Sequence, residues 1–310
     1  MKIGLLALFL SGVLLAAGCE RSLLARSAAS LKAQAIPSIA PTSHRELNSY
    51  LAANGYRWST LDQGVPPFLL SALPQDLHQV GNIAERKRLF FLSLLPSVLL
   101  ANGEIAWQRQ QFLIALRHHR AGLLPTPPQQ LLISRLAAQY RLRHNPLTDR
   151  NTRNSLLRRL DTLPPDLVLA QAANESGYGT SRFARLGNNL FGQWTYASGT
   201  GLVPKERSAA QNHEVRRFAS LYDSVRSYMG NLNSHRAYRS LRTIRARKRA
   251  RGLALRGIDL AAGLRLYSSR RDAYVAEIRA IIRGNRLSRL ANATLRPTPF
   301  SGPAPVKASL

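Results

Sequence analysis

The sequence predicts an α+β protein that is mainly α, with one small β-hairpin. Two patterns support this prediction. Apolar residues recur at helical spacing in residues 65–119, 131–142 and 163–174. Residues 199–219 instead alternate polar and apolar side chains on either side of a Ser-Ala-Ala-Gln-Asn turn, which is typical of a β-hairpin.

The first 18 residues have the pattern of an export signal. A basic N-terminus precedes an apolar stretch from Ile3 to Leu15 that is too short to cross a bilayer. The segment Ala-Ala-Gly-Cys that ends at Cys19 resembles a lipoprotein signal, in which cleavage leaves a lipidated N-terminal cysteine. Cys19 is the only cysteine, so it can form no intramolecular disulfide. An ordinary cleaved signal with an incidental cysteine is the alternative.

Composition divides the remaining chain into further segments. Residues 19–58 mix Ser, Ala, Pro and charge, and they are expected to form a tether with one helix near Ser43 to Asn54. A helical N-terminal region is predicted for 59–146 and a second domain for 150–286. Residues 287–310 are expected to be a disordered tail.

One apolar run, LFFLSLLPSVLL at 89–100, could be read as a membrane segment. Pro96 and the charges on both sides limit its apolar length to about a dozen residues, short of the ~20 that a spanning helix needs. A buried helix is therefore the preferred interpretation.

The charge balance is strongly basic. The 310 residues contain 44 Lys and Arg against 16 Asp and Glu, a net charge of +28. Such a field attracts polyanions, and the basic run at 242–251 suggests nucleic acid as one partner. No nucleic-acid-binding motif accompanies that run, so we expect no nucleic acid and prefer the phosphates and carboxylates of a cell envelope as its partners.

The run AQAANESGYGTSRFARLGNNLFGQW at 170–194 places Glu175 where an apolar helix ends. Val168, Ala172 and Glu175 follow one helix face, so the carboxyl should be partly buried. Burial and the negative end of the helix dipole both favour the protonated form, as a general acid requires. A solvated Glu at a frayed helix end is the alternative.

The segment NESGYGTSRFARLGNNLFGQW resembles the glucosaminidase family of peptidoglycan hydrolases, which includes flagellar muramidase-like domains, and most closely its Bax-type bacterial branch. Further similarity lies in 213–238 and 260–283, with weaker similarity in 86–102. The resemblance implies a lysozyme-like catalytic domain over 150–286, with Glu175 as the catalytic acid. It also implies a cleft lined by the segment NLFG at 189–192.

Glycoside hydrolysis commonly uses a second carboxyl. In the predicted β-lobe Glu206 and Glu214 are the candidates, and the resemblance favours Glu206 because it places the second acid on the first strand. For each, the alternative is a charge paired with Arg207 or Arg216, and for Glu214 that alternative is preferred.

A set of sugar-binding residues, most of them aromatic, is expected, and the resemblance implies all of them except Trp194, whose ring could stack on a sugar. The set is Tyr178, Asn189, Phe191, Trp194, Tyr267 and Tyr274. Tyr178 stands where Trp is common in relatives. Phe191 could equally be a core residue, and simple packing is the alternative for Tyr267 and Tyr274.

The expected function is hydrolysis of the β-1,4 bond after N-acetylglucosamine in peptidoglycan glycan strands. The seven histidines lack the spacing of metal ligands, so neither a metal nor a cofactor is expected. The enzyme would be attached through Cys19 to a membrane of the cell envelope, and Glu20 favours the outer membrane facing the periplasm. A lytic transglycosylase with one Glu, assistance by the substrate's acetamido group, and a non-catalytic wall-binding lipoprotein are the alternatives.

Overall fold

The computed structural model describes residues 36–204, 207 and 212–296. The predicted export signal, the lipid attachment site Cys19 and the predicted second acid Glu206 lie outside the described residues. Residues 297–310, the end of the predicted tail, also lie outside them.

The described segments contain ten α-helices and five short strands. In chain order the helices are α1 (His44–Ala53), α2 (Ile83–Arg120), α3 (Pro127–Gln139), α4 (Arg150–Arg159), α5 (Pro165–Ser176), α6 (Arg182–Gly187), α7 (Leu221–Ser234), α8 (Arg239–Ala250), α9 (Gly257–Leu260) and α10 (Asp272–Gly284). The strands are β1 (Ser38–Ile39), β2 (Leu69–Leu70), β3 (Trp194–Thr195), β4 (Gly201–Leu202) and β5 (Glu214–Arg216). The α+β, mainly α class is confirmed.

The long helix α2 supplies the centre of the core. The Asn82 side chain accepts a hydrogen bond from the Glu85 amide and caps its start. Every residue from Leu89 to Leu99 is buried. By length and composition α2 could cross a membrane. This segment instead packs against α5 and α7, which confirms the prediction of a buried helix.

A second, smaller apolar cluster joins the end of α2 to α3 and α4. Phe112, Leu136 and Leu156 represent the three helices in it, and all three are buried. The helices of the predicted N-terminal region therefore pack on those of the second domain. The described residues from Ser38 to Arg296 belong to one compact unit.

The tether prediction is wrong for residues 38–58. Strand β1 pairs in parallel with β2, and α1 buries Leu47 and Leu51 against the core. The helix predicted near Ser43 to Asn54 is present as α1, and the Ser43 side chain caps its start. Tyr56, beyond the end of this helix, is buried. Two leucines one turn apart make an apolar face, which an average over the composition of the segment does not reveal.

The tail prediction is wrong for residues 287–296. A short 3₁₀ turn from Leu287 to Leu290 buries both of its leucines and packs on α5. Beyond it, the Val65 amide donates to the Thr294 carbonyl (2.8 Å), and the Arg296 amide donates to the Val65 carbonyl (2.9 Å). The apolar spacing of the two leucines explains why this segment folds.

The β-lobe contains the predicted hairpin and one strand more. Strands β4 and β5 pair antiparallel, with Leu202 opposite Val215, and β3 pairs antiparallel with the other edge of β5. The sheet order is therefore β3-β5-β4. Strand β4 ends at Leu202.

Candidate active site

Helix α5 carries Glu175 at its C-terminal end. The helix is buried on nearly all sides, and its first turn is tied to α9 by Asp166. Both carboxylate oxygens of Asp166 accept from the Gly257 amide at 2.9 Å. Burial raises the pKa of Asp166 to about 6, although these hydrogen bonds oppose the shift.

A tight left-handed turn follows Ser176, the last residue of α5 and the neighbour of Glu175. Gly177, Tyr178 and Gly179 all have positive φ angles, of 56°, 56° and 80°. The Ser176 hydroxyl donates to the Ala172 carbonyl (2.6 Å) and accepts from the Gly179 amide (2.8 Å), which holds the turn closed. A Cβ at position 179 would lie 2.4 Å from a methyl carbon of Leu73, so the turn requires glycine there.

The Glu175 carboxyl is half-buried and hydrogen-bonded through one oxygen. Oε1 accepts from the Tyr274 hydroxyl (2.7 Å) and from the Asn174 side-chain amide (3.3 Å). No partner of Oε2 is found among the described residues. Burial raises the pKa of Glu175, and the hydrogen bonds from Tyr274 and Asn174 oppose this shift without cancelling it. The group can therefore carry a proton on Oε2 and donate it.

A buried chain of hydrogen bonds fixes the hydroxyl that faces Glu175. The Tyr228 hydroxyl donates to Gln171 Oε1, and Gln171 Nε2 donates to the Tyr274 oxygen at 2.8 Å. Because the Tyr274 oxygen already accepts from Gln171, its own proton points to Glu175. Sequence reasoning missed Gln171 and Tyr228. A polar residue one turn before Glu175 on a buried face was the available signal for Gln171.

The two tyrosines near the last helix lie beside this chain. Tyr274 is 1 % exposed, and its ring stacks on Tyr267 with centroids 5.3 Å apart. The half-buried Tyr267 donates its hydroxyl to the Phe191 carbonyl at 3.1 Å. Tyr274 therefore acts on Glu175 directly, whereas Tyr267 positions both Tyr274 and the loop that contains Phe191.

Two of the predicted sugar-binding residues are buried and satisfied by the protein. Phe191 is 3 % exposed and stacks on Tyr228 with centroids 3.8 Å apart, so it belongs to the core. Asn189 is 2 % exposed. Its amide donates to the carbonyls of Gln193 and Arg216 and accepts from the amides of Phe191 and Gln193. These contacts contradict direct sugar binding. The Phe191 ring is covered by other side chains, and the Asn189 side chain makes its hydrogen bonds within the protein.

Tyr178 packs against helix α2. Its ring makes edge contacts with Phe90 and Phe91 at 5.9 and 5.8 Å, and the Lys87 amine lies 4.8 Å from the ring centre. Asn285 Nδ2 lies 3.4 Å from its hydroxyl. These contacts give the half-buried Tyr178 a packing role behind the turn, and no described contact joins it to Glu175.

Trp194 on β3 is the exposed aromatic residue of the predicted set. The residue is 58 % exposed, and one face of the ring stacks on His213 with centroids 4.3 Å apart. The ring is thus held in place while most of its surface stays open to solvent. An apolar ring face in this position suits stacking on a sugar.

Glu214 is held by the β-lobe itself. Its Oε1 accepts from the Gly199 amide (3.0 Å) and its Oε2 from the Gly201 amide (2.7 Å), which fixes the turn between β3 and β4. These backbone hydrogen bonds lower the pKa of Glu214. No ion pair between Glu214 and Arg207 or Arg216 is found among the described residues, although the nearby charge of Arg207 also lowers the pKa of Glu214.

A cavity of about 620 Å³ lies between α2, α3, α7 and β5. Glu104 and Arg226 form an ion pair in its wall, and Glu175 is not among its lining residues. The candidate site is therefore defined by the hydrogen bonds around Glu175.

In the described part of the chain no cluster of three His, Cys, Asp or Glu residues could hold a metal ion.

A mainly α domain with a small β-lobe and a protonatable Glu at a helix end has the architecture of a glycoside hydrolase. A family model described as mannosyl-glycoprotein endo-β-N-acetylglucosaminidase matches residues 152–287. Protein bax of Escherichia coli strain K12 is 30 % identical over 217 residues, which cover 70 % of this chain and 75 % of that protein. The chain therefore belongs to the glucosaminidase family, as a member of the Bax type. No solved structure matches it.

The raised pKa of Glu175 predicts a pH-dependent gain in stability for Glu175→Gln. Above the ordinary Glu pKa of 4.5 the unfolded chain is ionised, whereas burial opposes ionisation in the folded state. We expect Glu175→Gln to unfold at a higher urea concentration than wild type at pH 8, and the difference to vanish below pH 4.5.

The control for this experiment is Glu46→Gln on α1. Hydrogen bonds from Thr42 lower the pKa of Glu46, so its substitution should reduce stability above pH 4.5 and have no effect in acid. If Glu175→Gln follows the direction of the control, the carboxyl is stabilised in its ionised form and the interpretation of the site fails.

Proposed function

We propose that the protein is a peptidoglycan hydrolase that cleaves the β-1,4 bond after N-acetylglucosamine, an endo-β-N-acetylglucosaminidase. The observation that carries this proposal is the Glu175 carboxyl. It is half-buried, its pKa is raised, and its hydrogen-bond donors all meet one oxygen. Family membership adds glycosidase chemistry to that geometry.

In the proposed mechanism Glu175 Oε2 protonates the oxygen of the leaving sugar. The carboxylate that forms keeps the Tyr274 hydrogen bond on Oε1, and this bond strengthens as negative charge develops. The interaction thus stabilises the transition state more than the ground state, which is the condition for rate acceleration. Gln171 and Tyr228 are positioning residues, because they act on Glu175 only through Tyr274.

The second group of the proposed mechanism is a carboxylate that stabilises the sugar cation or activates water. We assign this role to Glu206. Glu214 is a poor alternative, since both of its oxygens already bind backbone amides. The exposed face of Trp194 is proposed to stack on a sugar ring.

Digestion of purified sacculi tests the proposed reaction. Wild-type protein should release muropeptides with a reducing N-acetylglucosamine end, identified by mass spectrometry after borohydride reduction. Glu175→Gln should lower the rate by ~10²-fold or more, because loss of a general acid typically costs that much. It should still fold and bind sacculi, since the amide keeps the shape of the carboxyl.

Other products decide between the alternatives. Anhydro-muramic ends would identify a lytic transglycosylase. Sacculi that are bound but not cut by wild-type protein would identify a non-catalytic wall-binding lipoprotein. A Glu175→Gln rate within a few-fold of wild type would remove Glu175 from the mechanism.

The two acids of the β-lobe are separated by matched substitutions. Glu206→Gln should reduce sacculus cleavage strongly with little change in thermal stability. Glu214→Gln should lower the melting temperature, because the uncharged Gln side chain has only one acceptor oxygen and leaves one of the two backbone amides without a partner. This variant should retain most of the activity at low temperature. If both variants cleave at near-normal rates, a single-acid mechanism or acetamido assistance replaces this assignment.

We also propose that Cys19 is lipidated and anchors the enzyme in the cell envelope, at the outer membrane facing the periplasm. In the native host, Cys19→Ser should move the protein from the membrane fraction to the soluble fraction. The specific activity of the purified enzyme should not change, because the anchor takes no part in the chemistry. Unchanged fractionation would leave the ordinary cleaved signal as the better account.

A further inference from the structure

Five arginines line a groove between α4 and the region where α7 ends and α8 begins. They are Arg158, Arg159, Arg236, Arg239 and Arg242. The groove has a volume of about 500 Å³, and its other lining residues are Asn151, Asn154, Ser155, Ser234 and Thr243. All of these side chains can form hydrogen bonds, and neither a carboxylate nor an apolar side chain is among them.

The arginines of this groove lack counter-ions within the described chain. None of the five forms an ion pair there. The opposite holds for the neighbouring cations of α8, where Arg245 and Arg249 pair with Asp161, and Lys248 pairs with Asp259. These three cations of α8 thus have acidic partners, whereas the five arginines of the groove have none among the described residues.

Two of the guanidinium groups are fixed in place by the backbone. Arg242 is 7 % exposed, and its Nη1 donates to the carbonyls of Leu232 (2.8 Å) and His235 (2.9 Å). Arg159 Nη1 donates to the Tyr140 carbonyl at 2.7 Å. Burial and the nearby charges of Arg159 and Arg239 lower the pKa of Arg242 to about 10. A bound anion would relieve this repulsion.

We propose that this groove binds a phosphate ester. Guanidinium forks match phosphate oxygens with paired hydrogen bonds, and the Asn, Ser and Thr side chains can complete the shell of donors. The source of the phosphate could be the headgroup of an anionic lipid or a soluble phosphate ester. Single-stranded nucleic acid is disfavoured, because it relies on aromatic stacking and no aromatic residue lines the groove.

Calorimetric titration of the full chain tests this site, with inorganic pyrophosphate as the soluble probe. Phosphatidylcholine vesicles with and without phosphatidylglycerol are the lipid probes, followed by co-sedimentation. The groove variant is Arg236→Gln/Arg239→Gln, which removes two exposed cations of the groove. The matched control is Arg247→Gln/Arg251→Gln, which removes the same charge from exposed positions of α8 and its C-cap outside the groove.

We expect pyrophosphate to bind the wild type and the control within about twofold of each other, and the groove variant about tenfold or more weakly, since charged hydrogen bonds are lost. Sacculus cleavage should be unchanged in both variants. If the groove variant alone loses phosphatidylglycerol-dependent sedimentation, the phosphate belongs to a lipid headgroup. If only pyrophosphate binding changes, the source is a soluble ester.

Three results would overturn the proposal. Equal weakening in the groove and control variants would mean that only the general field of the protein attracts the probes. Absence of binding by wild type to both kinds of probe would mean that the groove is no phosphate site. Binding of a single-stranded oligonucleotide more tightly than either probe, lost only in the groove variant, would assign the groove to nucleic acid.

Discussion

The rest of the site depends on one constraint. A half-buried carboxyl at a helix end can donate a proton only from an oxygen that the protein leaves free, so its hydrogen bonds must all come to the other oxygen. Tyr274 meets this constraint for Glu175, and Gln171 and Tyr228 determine which way the Tyr274 hydroxyl points. These residues come from α5, α7 and α10, so the packing of three helices decides where one proton lies. An arrangement of this kind needs a rigid frame, since buried polar groups without partners are costly.

The frame is held by two other buried charged groups. Asp166 ties the start of α5 to α9 through the Gly257 amide. Arg245 on α8 is fully buried and donates to the carbonyl of Arg158, in the last turn of α4, and to the carbonyl of Asp161 just beyond that helix. Each group takes up backbone donors or acceptors that the ends of the helices leave unsatisfied. The same packing that satisfies them sets the position of the helix that carries the acid.

The sequence predicted those features that local patterns encode. The end of α5 next to Glu175, the buried α2 and the β-hairpin each depend on spacing and turn residues within one short segment. The burial of Asn189 was not predicted, and the core position of Phe191 was only one of two alternatives, because both depend on β5 and α7 rather than on the segment itself. Gln171 and Tyr274 are 103 residues apart, so only the folded chain reveals their contact.

A net charge of +28 should favour the ionised form of any carboxyl, which makes a neutral Glu175 a demanding requirement. Burial is the largest influence on its pKa, and the charges acting on it are Glu277, which raises the pKa, and Arg270, which lowers it. Arg270 and Glu277 form an ion pair with each other, so their effects oppose at short range. Burial therefore outweighs the basic field at Glu175, and the groove with its five arginines is lined by a different set of residues. Acid chemistry and anion attraction can therefore coexist in one chain because they occupy different surfaces.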